Sequence, residues 1–241
     1  MKHCFYRSGI GAALISVLVL CLLFCGCGRG NDPATPSDAA PDVVSGSDVP
    51  GEAETVPEIT GLEMLPGVYV SDLFPYTGKY VEDGSDEAVA DLAAVTLTNY
   101  GATDYLYIEF TVTTDSGVYA FTASSLHAGM RLTVLSKEKK TVAATEALTA
   151  ADCPIHAEYQ TPPTMCEDLF SFTQATGSFN IRNVSGRDLN GTITVYYKYA
   201  DENGFIGGIT FRTVLHGLKA EEEQWSPSGH MGRIVFVTYE E

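Results

Sequence analysis

The stretch Tyr105-Leu106-Tyr107-Ile108-Glu109-Phe110-Thr111-Val112-Thr113 decides the fold class. Leu106, Ile108, Phe110 and Val112 alternate with Tyr105, Tyr107, Glu109 and Thr111. This is the period-2 pattern of a strand with one face buried and the other wet. Working outward, Asp115-Ser116-Gly117 turns the chain into a second expected strand at 118–122. After Ala128-Gly129, residues 130–135 place Met130, Leu132 and Val134 on one side. Upstream, Val95 and Leu97 mark a short strand that ends at Asn99.

The same layout returns 84 residues further on, where Phe179-Asn180-Ile181-Arg182-Asn183 matches Val95-Thr96-Leu97-Thr98-Asn99. Ile193, Val195, Tyr197 and Tyr199 then alternate with Thr194, Tyr196 and Lys198. Asp201-Glu202-Asn203-Gly204 reads as a tight hairpin turn, because Asn-Gly accepts positive φ angles. Ile209, Phe211 and Thr213 are expected on the return strand, and residues 234–239 close the chain. The fold class is therefore all-β, with two tandem β-sandwich units at 62–160 and 167–241, each of six or seven strands. Pro162-Pro163 forbids a central strand at the join. One large sandwich is the alternative arrangement.

Residues 1–26 have the three parts of an export signal: a start carrying Lys2 and Arg7, an apolar run over 10–24, and a small-residue end. The run is shorter than the roughly 20 residues that a membrane-spanning helix requires. No Ala-x-Ala pattern follows it, but Phe24-Cys25-Gly26-Cys27 does. That end resembles the lipobox of bacterial membrane lipoproteins, in which a small residue precedes the cysteine that receives a diacylglyceryl group. Among the signal's cysteines only Cys27 follows a small residue; Cys21 follows Leu20 and Cys25 follows Phe24. The family prefers Leu where Phe24 stands and Ala or Ser where Cys25 stands. The resemblance implies lipid attachment at Cys27 and a place on the extracytoplasmic face of a cell membrane. An uncleaved signal anchor, or release by general signal peptidase, would leave no lipid there.

Residues 27–60 change to Pro, Asp, Ser, Gly, Ala and Glu without any aromatic residue, the composition of a disordered linker. Such a linker spans about 30 Å, lengthened by repulsion among its acids. The whole chain has a formal charge of −17. Cleavage before Cys27 removes Lys2 and Arg7 and leaves −19. That field repels nucleic acid and anionic headgroups, so no nucleic-acid partner is expected.

The segment Asn183-Val184-Ser185-Gly186-Arg187-Asp188-Leu189, with its strand and Asn-Gly hairpin, resembles the immunoglobulin-like repeats of bacterial surface lipoproteins, including the cell-adhesion-related bacterial domain. There too a strand ends in Asn, a polar turn follows and a long hairpin comes next. The resemblance covers about 75 residues and implies a fold and a surface setting, with no catalytic residues to carry over. The antibody-type arrangement of two cysteines around a tryptophan is missing, since Trp225 lies beyond both Cys153 and Cys166.

Candidate sites are few. Cys153 and Cys166 could close a loop worth on the order of 3 kcal/mol as a disulfide, or stay separate thiols. Tyr105, Tyr107 and Tyr196 fall on the expected wet faces, where aromatics can stack on sugars or anchor a protein; packing against the neighbouring unit or across strands is the other reading. His127, His156, His216 and His230 lack ligand spacing, so no metal is expected. His127 and His216 each follow a leucine that ends a strand, which suggests equivalent positions in the two copies. Asp83, Asp86, Glu87 and Asp91 crowd one loop without the pattern of a calcium loop. Glu221-Glu222-Glu223 reads as an exposed charge run, and the acceptor triplets at Asn183 and Asn190 read as coincidence.

No nucleophile elbow, nucleotide loop or cofactor motif occurs. The expectation is an exported, lipid-anchored envelope protein, not an enzyme and without a cofactor. It would bind or scaffold an unidentified envelope protein or glycan through its β-sandwich units. The competing readings are an exported carbohydrate-active enzyme on a sandwich scaffold, with paired carboxylates, and a passive surface spacer.

Overall fold

The computed structural model describes residues 59–175, 177–228 and 232–241. The export signal, Cys27, nearly all of the linker and His230 lie outside the described residues. Within them the chain is all-β and forms no helix. These residues belong to one compact unit, Thr55–Glu241.

Seven strands come first: β1 (Leu62–Leu65), β2 (Val68–Tyr80), β3 (Glu87–Asn99), β4 (Tyr105–Thr114), β5 (Gly117–Leu126), β6 (Arg131–Leu135) and β7 (Ala150–Glu158). Seven follow: β8 (Phe170–Ala175), β9 (Ser178–Asn183), β10 (Leu189–Asp201), β11 (Gly204–Ile206), β12 (Phe211–Leu218), β13 (Glu223–Pro227) and β14 (Gly232–Glu240). Pairing repeats between the halves. The row β2-β3-β6 has its counterpart in β8-β9-β13, and the row β5-β4-β7 in β12-β10-β14. β11 has no counterpart. It is an arm inserted in the hairpin between β10 and β12, and it pairs in parallel with β6, joining sheets of the two halves.

Each half buries its own core. Val70, Val95, Leu97 and Leu132 from one sheet of the first half meet Ile108, Phe110, Val112 and Phe121 from the other. In the second half Phe170, Phe179 and Ile181 meet Ile193, Val195, Leu215 and Val237. Every such side chain taken from water contributes roughly 1.5–3 kcal/mol against the entropy of ordering the chain. A smaller third cluster of Tyr80, Val81, Leu92, Ala94, Leu135 and Ile206 includes the tip of the arm.

The asparagines that end β3 and β9 build one corner twice. Asn99 Nδ2 donates to the carbonyls of Thr103 (2.8 Å) and Leu126 (3.4 Å), and its Oδ1 accepts Gly101 N–H. Asn183 Nδ2 donates to Arg187 O (2.7 Å) and Leu218 O (3.0 Å), and its Oδ1 accepts Ser185 N–H. Asp104 accepts Ala128 N–H as Asp188 accepts Ala220 N–H. Both asparagines are fully buried, which explains why a polar residue there keeps every bond. Burial also removes Asn183 as a modification acceptor.

The corner corrects one expectation. Leu126 and Leu218 are the matching leucines, so His127 corresponds to Lys219, and His216 sits three residues before Lys219 on the exposed side of β12. Two other differences concern length. β3 starts at Glu87, within the expected acidic loop, and its course bends at Asp91, whose φ is 55°. The hairpin turn forms as expected, with Asp201 Oδ1 accepting Asn203 and Gly204 N–H. Its return is broken in two: Gly204 and Phe205 pair with β10, Gly207-Gly208 carries the chain away, and Phe211 and Thr213 rejoin β10 as part of β12, as expected.

Candidate functional site

The three tyrosines do not form one surface. Tyr105 is buried in the first core at 3 % exposure, and Leu106 is 46 % exposed, the reverse of the expected alternation. The cause is a β-bulge: Tyr105 and Tyr107 lie opposite the adjacent residues Glu158 and Ala157, so Leu106 is an extra residue that flips the phase. Tyr107 stays on the outer face, where its hydroxyl donates to Glu109 at 3.0 Å. Tyr196 stacks on Phe236 (4.1 Å between ring centres), and Phe236 packs against His127 and Tyr159 of the first half. Tyr196 is thus part of the joint between the halves.

Cys153 and Cys166 are free thiols rather than a disulfide. Cys153 packs on the first core and Cys166 on the second, so the alternation of their separate strands and loops directs them to different interiors. The acidic cluster is met by lysines: Lys139 reaches Glu87 at 2.8 Å and Asp83 at 3.5 Å, and Lys79 reaches Asp86 at 3.2 Å. Ser85 and Lys139 hold the Asp83 carboxyl below its ordinary range. Among the described residues no three His, Cys, Asp or Glu side chains gather at metal-binding distance. A cleft of about 670 Å³ near the β10–β11 turn is lined by Asp201, Glu202, Gln174 and Arg233. Arg233 is already committed there, donating to Asp201 O at 2.8 Å.

The arm carries the densest polar contacts between the halves. Its backbone lies along the outer edges of both β6 and β5: Gly207 N–H donates to Thr133 O (2.7 Å), and Ser124 N–H donates to Gly208 O (2.8 Å). A side chain at Gly208 would run into the Thr122 carbonyl, so only glycine lets the chain approach this closely. A half-buried carboxylate and a fully buried ammonium clamp the arm. Glu82 accepts N–H bonds from Gly208 (2.8 Å), Ile209 (3.2 Å) and Leu135 (3.1 Å). Lys198 donates to Gly208 O (2.9 Å) and Ile209 O (3.2 Å).

Burial pushes Lys198 down to about 7, and the Glu82 carboxylate opposes that shift. Burial likewise pushes the Glu82 carboxyl up, against its three backbone donors and Lys198. Beside them His127 is held below its ordinary value by burial, with Asp104 opposing, and its Nε2 has no hydrogen-bond partner among the described residues. These groups tie the halves together.

The counterpart of that edge is finished differently. Asn183 exchanges backbone bonds with Glu221 and Glu222, and Ile181 pairs with Gln224, so the alternation turns the backbone groups of Glu223, Trp225 and Pro227 away from β9. Trp225 stands where Thr133 does in the first half, and Pro227 where Leu135 does. No arm lies on this edge among the described residues. Trp225, the chain's single tryptophan, is 58 % exposed. Val214 on the neighbouring edge strand β12 is 45 % exposed. Sequence reading passed over Trp225 except to place it relative to the cysteines. The signal available was a lone aromatic between a charge run and a proline.

No family model, curated protein or solved structure matches this chain.

Proposed function

We propose that this chain is an exported, lipid-anchored protein of a bacterial cell envelope. Its two immunoglobulin-like β-sandwich units bind or scaffold another surface component without catalysis. The anchoring half of the reading is supported by Lys2 and Arg7, the short apolar run, Gly26-Cys27 and the acidic linker. The binding half is carried by one observation, the exposed Trp225 on an edge strand that no other described residue covers. A large aromatic in water is a ready anchor for a protein or glycan surface.

Metabolic labelling with a fatty-acid analogue tests the anchor: wild-type protein takes label and Cys27→Ala does not. Label on the variant would overturn the site. Affinity capture from envelope extract tests the binding surface, with Trp225→Ser recovering at least about tenfold less of the captured component. Equal recovery by the two proteins would overturn Trp225 as the anchor.

A further inference from the structure

We propose that the outer edge of β13 accepts an extended segment of a partner protein in parallel, as the outer edge of β6 accepts β11. This deepens the reading of Trp225 as a binding surface and rests on it. The argument is internal to the molecule, because the first half shows what fits such an edge.

On the first edge, Phe205 and Ile206 lie beside Leu132 and Thr133, and Gly207 then supplies an N–H to Thr133 O at 2.7 Å. Two successive apolar residues and a glycine thus pair the one outward residue in the middle of the strand, while Glu82 and Lys198 hold the Gly208 and Ile209 that follow. On β13 that residue is Trp225, whose N–H and carbonyl both face outward by the alternation fixed at Asn183 and Gln224. The next outward residue of β6, Leu135, has an N–H that Glu82 must satisfy. Its counterpart Pro227 has none, so this edge leaves no donor there that a guest would have to serve. The pairing window thus centres on Trp225.

Flanking chemistry restricts the guest further. Glu221, Glu222 and Glu223 outnumber the cations beside them, Arg182, which lies 2.7 Å from Glu221 and 3.9 Å from Glu223, and Lys219 at the start of the same turn. The edge therefore keeps a negative balance that repels an acidic segment and favours a basic one. The exposed Trp225 ring adds a face for an apolar side chain or a cation. Val214, the counterpart of Thr122 on β12, adds a second apolar contact where the arm's glycines pass in the first half. The occupant is an extended segment with two adjacent apolar residues, a following glycine and a basic but no acidic side chain. Main-chain pairing would supply affinity, and these side chains the selection.

The probe is a synthetic peptide with the sequence of residues 203–212, Asn-Gly-Phe-Ile-Gly-Gly-Ile-Thr-Phe-Arg, added to the full chain. Because Trp225 is the only tryptophan, its emission reports on this edge alone. The expected result is a saturable blue shift, with labelled peptide giving the same affinity by fluorescence polarisation. Trp225→Phe retains that affinity within about threefold, and Trp225→Pro weakens it at least about tenfold. Peptide methylated on the nitrogen of its first glycine after Ile, which leaves the protein unaltered, also binds at least about tenfold more weakly.

An unchanged emission at about 1 mM peptide, or equal binding of the methylated peptide, would overturn strand pairing. If that happens while capture from envelope extract still depends on Trp225, only the strand-pairing inference fails. Independence of capture from Trp225 would remove the reading beneath it.

Discussion

β6 and β13 hold the same place in the two halves, yet among the described residues one edge is covered and the other bare. An edge strand exposes a row of unpaired backbone groups, and each protein must occupy, cover or blunt it. The first half uses occupation: the arm takes the Thr133 carbonyl and Glu82 takes Leu135 N–H. The second half uses a proline at the Leu135 position and a run of glutamates, which leaves the backbone groups of Glu223 and Trp225 facing outward. The difference teaches that the covered edge depends on buried charge, whereas the bare edge depends on residues that need no partner.

Removing the half-buried carboxylate therefore gives the largest expected effect. Glu82→Ala leaves three backbone N–H groups without their acceptor and removes the carboxylate that favours a charged Lys198, a loss of about 3–5 kcal/mol in urea unfolding at pH 7. Glu222→Ala on the other edge forfeits an exposed bond to Lys219 N–H and costs under about 1 kcal/mol. Comparable losses for the two variants would break the contrast between the edges.

The same clamp sets a pH dependence. Lys198 gives up its proton near pH 7 in the folded chain, against 10.5 when unfolded. Between those values the unfolded chain holds the extra proton, so stability rises with pH, by on the order of 1 kcal/mol per pH unit. His127, lowered by burial, acts in the same direction at lower pH: stability falls as pH drops below its ordinary 6.5. Urea midpoints at pH 7, 8 and 9 should climb in the wild type and flatten in Lys198→Met. A flat wild-type profile would mean that the ammonium keeps its proton inside the joint.

The corner asparagines were legible because they are local: each ends an alternating run and is followed by its own bonding partners within four residues. So was the all-β class, which needs only the period of two. Tyr105 was not legible, because a single bulge at Leu106 reverses a face without leaving any mark on the alternation. The arm escaped for a related reason. Asn203-Gly204 announced a hairpin correctly, but Gly207-Gly208 diverted its return toward a strand some 70 residues earlier in the chain. Lys198 alternates like a wet-face residue and is wholly buried, since the face it occupies is covered by the arm. Trp225 lay outside any periodic run, and whether an edge strand is covered is decided by distant segments.

The smallest expected effect tests the corner itself. Gly129 and Glu221 hold the same place in it, each donating its N–H to the corner asparagine's carbonyl, at φ 76° and 62° respectively. A side chain at positive φ costs about 1 kcal/mol. Nothing lies within 4 Å of a methyl group added at Gly129, so Gly129→Ala should lose about that amount through backbone conformation alone. Glu221→Gly should recover part of it, offset by the loss of an exposed ion pair with Arg182 worth 0–1 kcal/mol. High salt screens the pair and leaves the backbone gain, so in 1 M salt Glu221→Gly should stabilise the chain by about 0.5 kcal/mol. Loss of stability under those conditions would show that Glu221 stands at this corner for a bond that Gly129 does not make, and that the two halves diverge at the backbone and not only along their edges.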